Sequence, residues 1–158
     1  MAQDRRARLM DRIEGTWNDL LASFAGLSDA QMVAPGVVEE WSVKDLLAHV
    51  TTWEEETLKH LPEIARGEKQ QRYSTLYGGI DAFNAMKSAE NRQRSLAEVR
   101  SRLTQTHQRL LDYLATAPDD LLDSRHRFRT RLRWDTYGHY PIHSAHVSEW
   151  RARVGNEP

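Results

Sequence analysis

The chain has 158 residues, with 22 basic and 23 acidic side chains and a formal charge of −1. That length fits a single domain spanning the whole chain, and the charge balance offers no global field to attract nucleic acid or an anionic membrane. No cysteine is present, which excludes disulfides, a thiolate nucleophile and a cysteine-based zinc knot; a tight transition-metal site must use histidine with carboxylates or water.

The opening segment MAQDRRARLMDR is charged and has no apolar run, so no signal peptide is visible. No apolar stretch approaches the ~18 residues of a membrane span. The expectation is a soluble, cytoplasmic protein. From Asp4 to Ala25 the residues Leu9, Met10, Ile13, Trp17, Leu20, Leu21 and Phe24 recur at spacings of three and four, which predicts an amphipathic helix stopped by Gly26. Ser28 and Gln31 have capping-box spacing and open a short helical turn, which Pro35 and Gly36 break.

A second long helix starts at Ser42, an N-cap, with Asp45 near the positive end of the helix dipole and Trp41 and Leu46 at the positions of a hydrophobic staple. Leu46, Val50 and Trp53 form its apolar stripe, with His49 beside it; Pro62 kinks or ends the helix and Arg66-Gly67 is the final stop. Glu68–Gly79 is polar and carries paired glycines, so it reads as a long crossover loop covering something. Asp81–Asn91 predicts a short helix, and a capping box at Ser95 and Glu98 opens a third long helix over Leu96–Ala115.

Between Arg125 and Arg133 every second residue is arginine. That period of two predicts an extended segment with one cationic edge. The helical pattern resumes at Leu132 or Trp134 and runs to Arg153. Four long helices, a long crossover and almost no strand signal predict an all-α four-helix bundle.

The last helix holds His139, His143 and His146. A spacing of four stacks His139 and His143 on one helix face, the arrangement by which two imidazoles clasp one metal ion. His49, from the second helix, is the candidate third ligand. Three protein ligands leave a position open, the catalytic rather than the structural arrangement. His146 competes, because His143 and His146 can also share an ion. Pro141 bears on that choice: if the helix starts there, His139 falls off the face. The plain alternative is that these are core histidines satisfied by hydrogen bonds. His60 and His107 read as lone surface or groove residues, and His126 sits among the arginines. Glu54 and Tyr137 are weaker candidates for a base or hydroxyl near the site, and Trp53 and Trp150 for core or pocket wall.

The segments WSVKDLLAHVTTWEE, IDAFNAMKSAENRQRSLAEV and TYGHYPIHSAHVSEWR resemble the DinB-like superfamily, in order along nearly the whole chain, and within it the branch of ClbS and DfsB. The resemblance implies an up-up-down-down four-helix bundle of the DinB-like type. It implies zinc or nickel held by the histidine late in the W-S-x-x-D-x-x-x-H stretch and by the final H-x-x-x-H, which are His49, His139 and His143 here. It places Asn84 over the open end of the bundle. Some relatives on the ClbS side work without metal and protect against reactive small molecules.

Three functions compete on this basis. The first is a metal-dependent hydrolase or thiol transferase acting on a small electrophilic molecule, with Tyr140 or Asn84 orienting it. The arginines are either a solvated loop or a clamp for an anionic ligand, with Arg129 and Arg131 holding a carboxylate-bearing low-molecular-weight thiol. The second is a metal-free small-molecule binding or resistance protein. The third is a bundle whose histidines are structural and whose role lies in dimer contacts. The expected partners are a small-molecule substrate and a second copy of the chain, with neither nucleic acid nor membrane.

Overall fold

A computed structural model describes residues 2–155. Eight α-helices appear among them: α1 (Ala2–Phe24), α2 (Asp29–Val33), α3 (Val43–Ala65), α4 (Tyr73–Leu76), α5 (Ile80–Arg92), α6 (Leu96–Thr116), α7 (Arg127–Asp135) and α8 (Tyr140–Val154), with a 3-10 turn at Asp119–Leu122 before α7. No strand occurs among the described residues; Val38 and Trp41 form an isolated bridge. No helix among the described residues is long and apolar enough to cross a membrane.

Local chemistry accounts for the helix starts. Ser28, Ser42 and Ser95 each accept a hydrogen bond from the backbone N–H three residues on, and Gln31, Asp45 and Glu98 each accept one from the serine's own N–H. These reciprocal pairs satisfy amide donors that the first helical turn leaves without partners. Pro62 lies inside α3, which continues to Ala65 before Gly67 turns the chain away at a φ of 81°. Gly79, at a φ of 128°, plays the equivalent part in front of α5, a conformation a side chain would resist.

Helix α3 is central and touches α2, α5, α6, α7 and α8, while α1 packs against α8. Leu9, Ile13 and Leu20 of α1, Leu46, Leu47, Val50 and Leu61 of α3, and Leu110 and Leu114 of α6 are all at most 1% exposed. Each such side chain contributes about 1.5–3 kcal/mol relative to an exposed one.

The arginine-rich segment departs from its extended expectation. Residues Arg127–Asp135 form helix α7, with His126 as N-cap. Phe128 and Leu132, four apart, are both 0% exposed. Burying that pair on one helical face outweighs the alternation of arginine, which a helix tolerates by spreading the guanidinium groups around its circumference.

The last helix also differs. Instead of one helix from Leu132 or Trp134, α7 ends at Asp135 and α8 begins at Tyr140, with Pro141 in its first turn. Proline has no N–H and crowds the carbonyl four residues back, so the first turn is where a helix accepts it. The intervening turn is bonded to its flanks: Gly138 N–H donates to the Arg133 carbonyl over 2.9 Å, and the N–H groups of His139 and Tyr140 to that of Thr136 over 2.7 and 2.8 Å.

Candidate metal centre and cavity

Three histidines from two helices and one turn converge. His49 projects from the middle of α3, His139 is the N-cap of α8, and His143 lies one turn into it. Nε2 of His139 is 3.2 Å from Nε2 of His49 and 2.9 Å from Nε2 of His143. One ligand atom from each of the three lies within 4.8 Å of the others, so the cluster could hold a metal ion. Tetrahedral zinc–nitrogen geometry sets ligand nitrogens about 3.3 Å apart, and the two close separations fall near that value.

Burial keeps these rings neutral. It lowers the pKa of His49 to about 3, with the charge of His139 adding to the effect. It lowers His139 to about 4 against the opposing pull of the Asp135 backbone carbonyl. It lowers His143 to about 2, with further contributions from the other three histidines around it. Neutral imidazole with a free lone pair is the form that binds a metal. His146 stands behind the cluster, its Nδ1 3.4 Å from Nδ1 of His143. That is the place of an outer-shell partner that orients a ligand.

His49 and His139 line a cavity of about 680 Å³ between α3, α5, α7 and the Glu68–Gly79 crossover. Trp53, Ile64, Tyr73, Ile80 and Trp134 form its apolar wall, and Arg125, Arg127 and Arg131 enter it. Asn84 also lines it, and its Oδ1 accepts a 3.1 Å hydrogen bond from the Trp53 indole N–H.

Tyr73 and Arg131 belong to a continuous wall of polar contacts. Arg131 donates from Nε to Asp135 and from a terminal nitrogen to the Tyr73 hydroxyl over 3.0 Å. That hydroxyl donates to Glu56, whose carboxylate also meets His60 Nε2 at 3.2 Å. Thr57 donates to Asp135 over 2.7 Å. Burial raises the Asp135 carboxyl, outweighing Arg131 and Thr57, which favour its charged form. Burial likewise raises the Tyr73 phenol, helped by Glu56 and opposed by Arg131.

The remaining candidates lie elsewhere. Tyr140 is 0% exposed and its hydroxyl donates to Glu54, itself 0% exposed; neither lines the cavity. Arg129 points away from the cavity, donating to the Tyr137 hydroxyl over 2.9 Å and to the Leu122 carbonyl over 3.1 Å. Trp150 is a core residue. His60, expected at the surface or in a groove, is only 6% exposed, and His107, 5% exposed, does line a groove between α1 and α6; carboxylates meet both ring nitrogens of the first and Nδ1 of the second. His60 meets Glu56 and Glu63 from its own helix, and His107 meets Glu54 across from α3. Tyr73 and Asp135 were missed by sequence reasoning. For Asp135 a signal existed: it stands four residues after Arg131, a pair that becomes visible once the segment is read as helical.

A crystal structure of an uncharacterised protein from Escherichia coli UTI89 is similar in fold, with a TM-score of 0.79 at 15% sequence identity, covering 97% of this chain and 96% of that one. No functionally curated protein shows significant sequence similarity to the chain. The sequence profile of the DinB superfamily matches residues 12–146, a stretch that contains all three converging histidines, and the chain belongs to that superfamily.

Proposed function

We propose that the chain is a metal-dependent enzyme in which His49, His139 and His143 hold a divalent ion, Zn²⁺ or Ni²⁺, beside a cavity that takes a small electrophilic substrate. The observation that carries this reading is the convergence of three neutral imidazole nitrogens, two of them from residues that line a largely apolar cavity. A bound ion there supplies a lowered pKa to a coordinated water or thiol.

The chain's own residues supply the rest. An indole N–H only donates, so the carboxamide of Asn84 turns its oxygen to Trp53 and leaves its NH2 free to donate to a substrate oxygen. Arg131 uses two of its five N–H groups on Asp135 and Tyr73 and keeps others for a ligand. Arg125 and Arg127 stand in the same cavity, so they take the anion-holding part in place of Arg129. Asp135, the one carboxylate among the described lining residues, is already engaged by Arg131 and Thr57. The cavity therefore favours an anionic partner, and transfer to a carboxylate-bearing low-molecular-weight thiol is our first choice over hydrolysis. Tyr140, in this reading, holds Glu54 in place and does not touch substrate.

We further read the long helices as the up-up-down-down bundle of the ClbS and DfsB branch, and the working assembly as a homodimer. A second reading, a resistance protein that sequesters a reactive molecule, is favoured by the absence of an uncommitted carboxylate base among the described cavity residues. The test is to load tag-free protein with Zn²⁺ or Ni²⁺ and titrate glutathione, bacillithiol and mycothiol, with ester and amide hydrolysis assayed alongside. Metal-dependent thiol binding, weakened by Arg125→Ala and by added salt, supports the transferase. Failure of the loaded protein to bind thiol or hydrolyse any substrate overturns the enzyme reading in favour of sequestration.

A further inference from the structure

The cavity beside the histidines has a direction. Helix α7 runs antiparallel to α3: Arg127 donates to the Glu68 carbonyl just past the end of α3, Thr57 in the middle of α3 donates to Asp135, and His49 nearer its start meets His139. Arg127, Thr130, Arg131 and Trp134 recur at spacings of three and four and line the cavity from one face of α7. Phe128 and Leu132, on another face of the same helix, enter the core. The helix rises about 12 Å from Arg127 to Asp135. Arg125 and Arg127 at its start and the histidines beyond its end therefore mark opposite ends of the cavity.

Its wall is largely apolar, and two of the apolar lining residues, Trp134 and Ile80, are left 65% and 55% exposed. Large apolar side chains in water at the border of a cavity mark a place where an apolar ligand group binds. A hydrophilic thiol makes no use of that surface, so it belongs to the other reactant. Charge adds a second requirement. Three guanidinium groups line the cavity against one carboxylate among the described residues, and that carboxylate, Asp135, is held by Arg131. Arg131 is further occupied by the Trp53 and Tyr73 rings, 5.8 and 5.7 Å from their centroids. At the other end Arg125 shares Asp123 over 3.3 Å with its side chain 90% exposed. Arg127 donates to a neutral group, the Glu68 carbonyl, which leaves its charge uncancelled by that contact. Each keeps N–H donors in a fork that fits an oxyanion.

We infer that the substrate of this cavity is an amphipathic acid, with its anionic group at Arg125 and Arg127, an apolar body along Trp53, Trp134 and Ile80, and its reacting carbon at the histidine end. A span of about 12 Å along α7 is the reach of a chain of about nine carbons joined by bonds near 1.5 Å. A volume of about 680 Å³ holds such a molecule with room for a second reactant. The place of the reacting carbon rests on the metal reading of the site; the anion and the apolar body stand on the cavity alone, and metal-free protein binds them.

Linear alkanesulfonates from butane- to decanesulfonate are the probes, since a sulfonate pairs with guanidinium but is a poor metal ligand; octyltrimethylammonium is the cationic counterpart. Each is titrated into the metal-free full chain while the tryptophan indole N–H resonances are followed by NMR. The expected result is a saturable shift at Trp53 and Trp134 without one at Trp17, for the sulfonates only. Affinity should rise about two- to fourfold per added methylene and level off near nine carbons. Replacing Arg125 and Arg127 together with Ala, both at exposed positions, should weaken every sulfonate about fivefold and keep the dependence on chain length. Trp134→Ala should flatten that dependence instead. The inference falls if no shift appears up to ~10 mM octanesulfonate, if affinity ignores chain length or the two arginines, or if the ammonium binds equally well. Sulfonate binding of this kind in a protein that takes up no metal sustains the acid site and overturns the enzyme reading, so the two fail separately.

Discussion

His139 Nε2 lies 2.9 Å from His143 Nε2, although His139 caps the helix that carries His143 and is not one of its members. Its backbone nevertheless keeps near-helical angles, φ −101° and ψ −46°. The spacing of four thus works across a helix start, and Pro141 does not throw His139 off the face. Alanine at His49, His139 or His143 should each reduce metal affinity by more than the ~10–100-fold typical of losing an outer-shell partner. His146→Ala should retain one ion per chain and loosen it by about tenfold. Elemental analysis and calorimetric titration of tag-free protein read both outcomes.

Gly138 offers a second handle on the same geometry. A Cβ there would sit 2.7 Å from the Arg133 carbonyl oxygen, a separation the backbone cannot keep. Gly138→Ala should therefore shift the turn that presents His139, weakening metal binding while leaving the helical content seen by circular dichroism unchanged. Unaltered affinity would show that the turn relaxes without moving the ligand.

Acid should destabilise the metal-free protein early. The three histidines are held below their unfolded pKa near 6.5, at about 3, 4 and 2 for His49, His139 and His143. Below pH 6.5 the unfolded chain takes up protons that the fold refuses, so their stabilising contribution is complete above that pH and is lost as pH falls towards about 4. Each histidine that stays neutral costs about 2 kcal/mol by pH 5. Glu56 adds to the trend lower down. Burial raises its pKa, but hydrogen bonds from His60 and Tyr73 prevail and hold it at about 2, so its contribution fades below 4.5. Urea titrations at a series of pH values should show the midpoint falling from pH 7 to 5.

Arg131→Ala leaves Asp135 buried with Thr57 as its remaining partner. The expected loss is about 3–5 kcal/mol in urea denaturation. Adding Asp135→Asn to that variant should recover part of it, since the stranded charge is then removed. If the double variant is no more stable than the single, the pair is not what holds this wall together.

Much of the scaffold was legible because its signals are local. The serines at 28, 42 and 95 and their acceptors three residues on mark helix starts within a single turn of sequence. The histidine cluster was legible because only a short list of residue types can serve as ligands in a chain without cysteine. Helix α7 was not, since alternation of arginine and burial of Phe128 and Leu132 make opposite suggestions, and only the tertiary core decides between them. The partner of His107 was equally hidden: Glu54 is 53 positions away, and no local pattern joins them. Tyr73 sits in a crossover whose loop composition gave no hint that its hydroxyl would bridge α3 and α7.

The adjacency of His139 and Tyr140 has a consequence for how this chain can vary. One residue faces the cavity as a candidate ligand; the next is sealed in the core against Glu54. Segments that join helices ordinarily accept insertions and deletions. Here a deletion of one residue between Thr136 and His139 would draw the phenol to the ligand position, and an insertion would carry the imidazole towards the core. The length of this turn is therefore as constrained as the identity of the ligands themselves.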